Sequence, residues 1–166
     1  MAWSDHMLVQ FGYHKTASTW LQEVLFSDVS TGLYYGWPDR GEIGRRICLV
    51  KQLCWDPDEA ASYFEQGIEE ARRRNLIPVV SHERLSGNPH SGGYDSAMCA
   101  DRIAEVFPNA KILLVIREQK SAIRSVYAQY IREGGPASVR RYLLPPSKGE
   151  ARLPLFDFEF YAYHRL

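Results

Sequence analysis

Met7-Leu8-Val9-Gln10-Phe11-Gly12-Tyr13-His14-Lys15-Thr16-Ala17-Ser18-Thr19-Trp20 is the stretch that decides the fold. Its first five residues form a short, mostly apolar run that stops at Gly12. A helical apolar pattern, Trp20, Leu21, Val24 and Leu25, follows. The order is strand, tight turn, helix. Free backbone N–H groups and the helix dipole make such a junction a place for an anion.

Reading outward, residues 33–37 form a second short strand closed by Pro38. Residues 43–55 and 57–75 read as helices with polar outer faces, separated at Asp56-Pro57. The β-branched run 77–81 and the stronger run 111–116 read as buried parallel strands. Helices over 94–107 and 121–133 alternate with them, the second stopped by Gly134-Gly135-Pro136. Pro145, Pro146 and Gly149 mark a linker, and residues 156–166 read as the start of one more helix. This alternation predicts an α/β fold with a central parallel sheet flanked by helices.

At 166 residues, 45% of them hydrophobic, the chain has the size and apolar content of one domain. Lys+Arg and Asp+Glu both total 20, so no global basic field argues for nucleic acid and any anion site has to be local. The three cysteines, Cys48, Cys54 and Cys99, form no CxxC pair and read as reduced core or near-core thiols of a cytoplasmic protein. Residues 1–6 carry no signal-peptide pattern, and no run reaches the roughly 18 apolar residues of a membrane span. His6, His14, His90 and His164 lack ligand-like spacing, so no metal is expected. Arg72-Arg73-Arg74 reads as a solvated helix terminus, and Tyr34, Tyr35 and Trp37 as packing rather than an acceptor pocket.

Within the junction, Gly12 permits a close backbone approach, Lys15 brings a mobile positive charge, and Thr16, Ser18 and Thr19 bring hydroxyl donors. That set suits a phosphate or sulfate. The plainer alternative is a capped helix with a solvent-facing lysine. The position directly after the first strand favours the anion site. A Walker A turn would need a Gly-Lys pair that is absent here.

Residues 12–20 resemble the 5′-phosphosulfate loop of the sulfotransferase superfamily, which typically reads Gly-Tyr-Pro-Lys-Thr-Gly-Thr-Thr-Trp. Here those places hold Gly12, Tyr13, His14, Lys15, Thr16, Ala17, Ser18, Thr19 and Trp20. The departures are His14 for proline and Ala17 for glycine, and alanine tolerates an unusual backbone angle less well than glycine. The resemblance implies a P-loop NTPase-like three-layer fold and 3′-phosphoadenosine 5′-phosphosulfate (PAPS) as sulfuryl donor. It also implies that Lys15 contacts the bridging oxygen while Thr16, Ser18 and Thr19 hold the phosphosulfate.

A second motif lies at the end of the 111–116 strand. Arg117 closes it and Ser125 follows eight residues later on the next helix, so both face the carboxyl end of the sheet, where ligands of open α/β sheets sit. An arginine forks onto a phosphate with two hydrogen bonds, and a serine adds a third. The alternative is a strand-end surface arginine beside an ordinary helix serine. In the family the same Arg-to-Ser spacing binds the 3′-phosphate that distinguishes PAPS from ATP, and the segment through Gly134-Gly135 resembles that of bacterial members.

Sulfuryl transfer needs a base for the acceptor proton. Ser81-His82-Glu83-Arg84 follows the third strand and offers two. A histidine serves in sulfotransferases of phenols and steroids, and a glutamate after this strand in heparan-type and many bacterial ones. The pattern here resembles the second group, so Glu83 ranks first and His82 second, the other being a structural polar residue.

The resemblance runs from about residue 7 to 160 but covers only the front part of a typical sulfotransferase, without the late basic loop. It implies a C-terminally incomplete chain, one completed by a partner, or one that keeps binding and has lost catalysis; a truncated sheet with exposed apolar edges would also favour a homo-oligomer. The expected acceptor is a small molecule or carbohydrate bearing a hydroxyl or amine, with phenol, lipid and peptide tyrosine all open. Two other classes compete: a non-catalytic PAPS-binding module, which would not need Glu83 or Lys15, and a P-loop kinase, which would need the missing Gly-Lys turn.

Overall fold

The computed structural model describes residues 7–150 and 154–163. Four strands form one all-parallel sheet in the order β2-β3-β1-β4: β1 Leu8–Gly12, β2 Leu33–Tyr34, β3 Ile77–Ser81 and β4 Lys111–Val115. β1 pairs with β3 on one side, Val9 opposite Val80, and with β4 on the other, Gly12 opposite Val115. Because every strand runs the same way, the ends at Gly12, Ser81 and Val115 open onto one edge of the sheet. The chain leaves β1 toward β2 and leaves β3 across β1 to β4, the kind of reversal beside which α/β folds bind ligands.

Helices fill the crossovers as parallel strands require. The α/β class with a parallel sheet flanked by helices is therefore as the sequence predicts. Helix α1, Ser18–Trp20, continues into a π-helical turn, Leu21–Leu25. Helix α2, Arg40–Gly44, likewise continues into the π-helical turn Arg45–Leu49. The others are α3 Pro57–Arg73, α4 Ser96–Val106, α5 Gln119–Arg132 and α6 Val139–Leu143. Asp56 caps α3 by accepting from the Asp58 and Glu59 amides at 2.9 and 3.2 Å, with Pro57 at its first position. That helix buries Ala60, Phe64 and Ala71. Phe64 meets Trp37 and Phe107 edge-on at 5.3 and 4.9 Å in a core that also holds Val9, Val80 and Ile103. Trp37 donates its indole N–H to the Val79 carbonyl, so it is a packing residue. A second cluster gathers Tyr13, Ala122, Tyr142, Phe156 and Tyr161.

Several expectations need correction. β2 is two residues rather than five, and Pro78, opposite Tyr34 at its end, has no N–H to give either neighbour. The helix expected over 43–55 ends at Val50, where the backbone turns extended. The Arg102 guanidinium from α4 takes the Ile47 and Val50 carbonyls at 2.7 and 3.0 Å and stops it. Cys48 and Cys99 are buried, but Cys54 is exposed. β4 is not a buried strand: it lies at the sheet edge with Ile112 53% exposed. The π-helical turn after α1 rotates its face so that Gln22 and Phe26 go inside while Trp20 and Val24 stay out. Where a helix was expected over 156–166 there is a single 3₁₀ turn, Glu159–Tyr161, because Phe156 and Tyr161 stack at 5.1 Å into the aromatic cluster. Residues 164–166 lie outside the described part. So do His6 and His164.

Candidate functional site

The turn after β1 is shaped by what does not fit there. A Cβ on Gly12 would collide with Thr16 Oγ1 and stand 2.9 Å from the Val115 carbonyl oxygen, so the position serves close approach. Lys15 and Ala17 adopt left-handed backbone, φ 70° and 63°. For residues with a Cβ this costs roughly 1–2 kcal/mol each. Ala17 thus sits at an unusual angle that a glycine would take freely. Left-handed residues alternating with right-handed ones are the backbone pattern from which N–H nests for anions are built, and Ala17 provides no side-chain cap for α1.

The side chains of this turn divide in two. Lys15, Ala17 and Thr19 face solvent, Ser18 is half-buried, and Thr16 is buried beneath them. Tyr13 turns away into the aromatic cluster, 4.6 Å from Phe160, and anchors the turn. Trp20 lies outside the cleft described below. His14 is buried and its Nε2–H donates to the Gly87 carbonyl at 3.3 Å. Burial holds its pKa down at about 4, outweighing the upward pull of Glu83, so the imidazole is neutral at pH 7.

The second motif meets the first. Arg117 Nη1 donates to the Lys15 carbonyl at 3.2 Å and to Ser125 Oγ at 3.4 Å. Glu118 caps α5 by accepting from the Lys120 and Ser121 amides at 2.9 and 2.8 Å. Those bonds, Ser121 first, keep its carboxyl below the ordinary range. This cap fixes the helix on which Ser125 rides.

The third segment is the 3₁₀ turn Glu83–Ser86. His82 accepts the Arg84 amide on Nδ1 at 3.0 Å and lays its ring over Gly44, where an added Cβ would be 2.8 Å away. Burial lowers its pKa. It is therefore a capping residue pointed at α2. Glu83 instead reaches a cleft of about 290 Å³ shared with His14, Lys15, Ser18, Thr19 and Arg117. Arg84 pairs with the buried Asp95 at 2.9 Å. Ser86 Oγ donates to the Gly12 carbonyl at 3.2 Å, which ties the turn to the end of β1.

No family model, curated protein or solved structure matches the chain.

The geometry of the site gathers Lys15, Arg117, Ser18 and Thr19 around one space, with Glu83 the one carboxylate among its lining residues. Such a set holds an anion and can accept a proton beside it. Among the described residues no group of three or more His, Cys, Asp or Glu is placed to hold a metal. Two features were missed in the sequence. Gln129 also lines the cleft, and its spacing of four from Ser125 on one helix face was readable. Beneath Glu83 lies a buried network. Gln22 donates to the Ser81 carbonyl and hydroxyl at 3.1 and 3.0 Å, Ser81 Oγ donates to Gln10, and Tyr35 donates to the Ser81 carbonyl at 3.0 Å. Burial pushes the Tyr35 hydroxyl up to about 12. No local signal marked these partners, which come from four separate segments.

Proposed function

We propose that this chain is a sulfotransferase domain of P-loop-like three-layer architecture. It binds PAPS and passes its sulfuryl group to a hydroxyl or amine acceptor. The observation that carries the reading is the reach of Arg117 to both Ser125 Oγ and the Lys15 carbonyl, which joins the two sequence motifs at one cleft with Glu83. The resemblance of residues 12–20 and of the Arg117-to-Ser125 spacing supplies the chemical identity of the ligand.

The residues fit such a ligand: two cations and two hydroxyls lining one cleft suit a polyanion. Bound there, PAPS would supply the sulfuryl group and a phosphate that departs with negative charge. Lys15 offsets that charge, Ser18 and Thr19 orient the anion, and Arg117 with Ser125 selects a 3′-phosphate. Glu83 takes the acceptor proton. His14, neutral and held by Gly87, keeps the Glu83 turn beside the anion-binding turn.

Calorimetry with 3′-phosphoadenosine 5′-phosphate and with AMP tests this. The first is expected to bind and AMP to bind weakly. Arg117→Ala should weaken the first by about tenfold to a hundredfold, as loss of a charge-assisted contact of about 1.5–3 kcal/mol requires. Equal affinity for both nucleotides, or indifference to Arg117, refutes the reading. Glu83→Gln should keep nucleotide binding and lose turnover. A chain that binds but turns over no acceptor is the non-catalytic module instead, and turnover that survives Glu83→Gln but not His82→Ala moves the base to His82.

A further inference from the structure

Two buried cysteines take no part in the site as described. Cys48 sits in the π-helical turn Arg45–Leu49 and Cys99 on α4, and these elements pack together. Both thiols donate to the same oxygen, the Arg84 carbonyl, at 3.2 and 3.8 Å. The Cys99 sulfur beside it, and then burial, push the Cys48 thiol up. The neighbouring Cys48 thiol brings Cys99 down, so Cys99 ionises more readily.

The oxygen they share belongs to the Glu83–Ser86 turn. Its remaining donor is the Gly87 N–H at 3.0 Å. Gly87 in turn accepts from His14, and Ser86 donates to the Gly12 carbonyl. The two thiols therefore hold one side of a turn whose other side braces the anion-binding turn.

We infer that Cys48 and Cys99 are a peroxide-sensitive dithiol whose disulfide loosens the Glu83 turn and weakens the anion site. Cys99 and Cys48 are 0% and 5% exposed, so a bulky disulfide is shut out and a small peroxide reaches the pair only through local opening of the elements around it. The Cys99 thiolate attacks one peroxide oxygen, breaking O–O and releasing hydroxide, and becomes a sulfenic acid. The Cys48 sulfur then attacks the Cys99 sulfur, forms S–S and releases water, the Cys48 proton leaving with that oxygen. Both S–H donors vanish, and sulfur lone pairs face the Arg84 oxygen in their place. The effect on the site rests on the proposed function only where nucleotide binding is the readout.

The test uses the full chain carrying Cys54→Ser, which removes the exposed thiol. Hydrogen peroxide is added, and peptides are mapped without reduction. Amide exchange over residues 83–87 and binding of 3′-phosphoadenosine 5′-phosphate are then measured. The peptides of Cys48 and Cys99 should be linked, exchange at 83–87 should quicken about tenfold, and the dissociation constant should rise about fivefold. Dithiothreitol should reverse all three, and Cys48→Ala and Cys99→Ser should each abolish them. Absence of the linked peptide, or a linked chain with unchanged exchange, overturns the inference. If the nucleotide binds neither form, the sulfotransferase reading falls, while linkage and exchange still decide the switch.

Discussion

Gly12→Ala probes the point where fold and site meet. The added methyl meets Thr16 Oγ1, on a buried side chain with little room to swing, and lies 2.9 Å from the Val115 oxygen. Val115 is the ladder partner of Gly12, so its carbonyl retreats only if the end of the β1–β4 pair opens. Overpacking of this kind costs about 1–3 kcal/mol, and at about 2–4 °C per kcal/mol the melting temperature falls by roughly 2–12 °C. Thr16→Ala removes the first obstacle and leaves the second. Combined with Gly12→Ala it should recover part of the loss, a coupling of about 1 kcal/mol in a double-mutant cycle. Urea unfolding of the four proteins measures it. A Gly12→Ala variant within about 0.5 kcal/mol of the parent, or a strictly additive double variant, would refute the steric argument.

Two further outcomes follow from the surroundings of the site. His14 is held at about 4 in the folded chain against an ordinary 6.5, so the unfolded chain takes the proton first as pH falls. Stability should decline between those values by roughly 1.4 kcal/mol per unit, and His14→Gln should flatten the decline; identical slopes refute it. Asp95→Ala strands the Arg84 guanidinium and the Asn88 N–H, which Asp95 accepts at 2.7 Å. It should cost about 3–5 kcal/mol in urea unfolding. Asp95→Asn, which keeps an acceptor for Asn88, should lose less, and equal losses would show that the retained acceptor contributes nothing.

How much of this was legible depended on how local each cause is. The β1 strand, its turn and the helix start were readable because the apolar run, Gly12 and the hydroxyls are neighbours in the chain. The α3 helix was readable for the same reason, with Asp56 and Pro57 marking its start. The end of the helix carrying Cys48 was not, because its carbonyls are taken by Arg102, some fifty residues away. The exposure of β4 depends on which strand lies beside it, and an apolar run reads alike at an edge and in a centre. Both residues after β3 looked like bases in the sequence. Only the fold separates His82, spent on capping the Arg84 amide, from Glu83 at the cleft.

The contacts that assemble the cleft also govern how its variants should be interpreted. Three of them join different loops: His14 to Gly87, Ser86 to Gly12, and Arg117 to the Lys15 carbonyl. The turn after β1 takes part in every one, so it is the hub on which the other two loops are hung. Arg117→Ala therefore removes a cation and also frees the backbone at Lys15, a residue already in left-handed conformation. Lysine in its place keeps the charge but not the planar guanidinium, whose Nη1 meets both acceptors here and leaves its other N–H groups for a ligand. If Arg117→Lys binds 3′-phosphoadenosine 5′-phosphate nearly as well as the parent, charge alone accounts for the site. If it falls close to Arg117→Ala, the fork matters as much for bracing the turn as for meeting the phosphate. The separation of Lys15 from Glu83 is then itself under the control of Arg117.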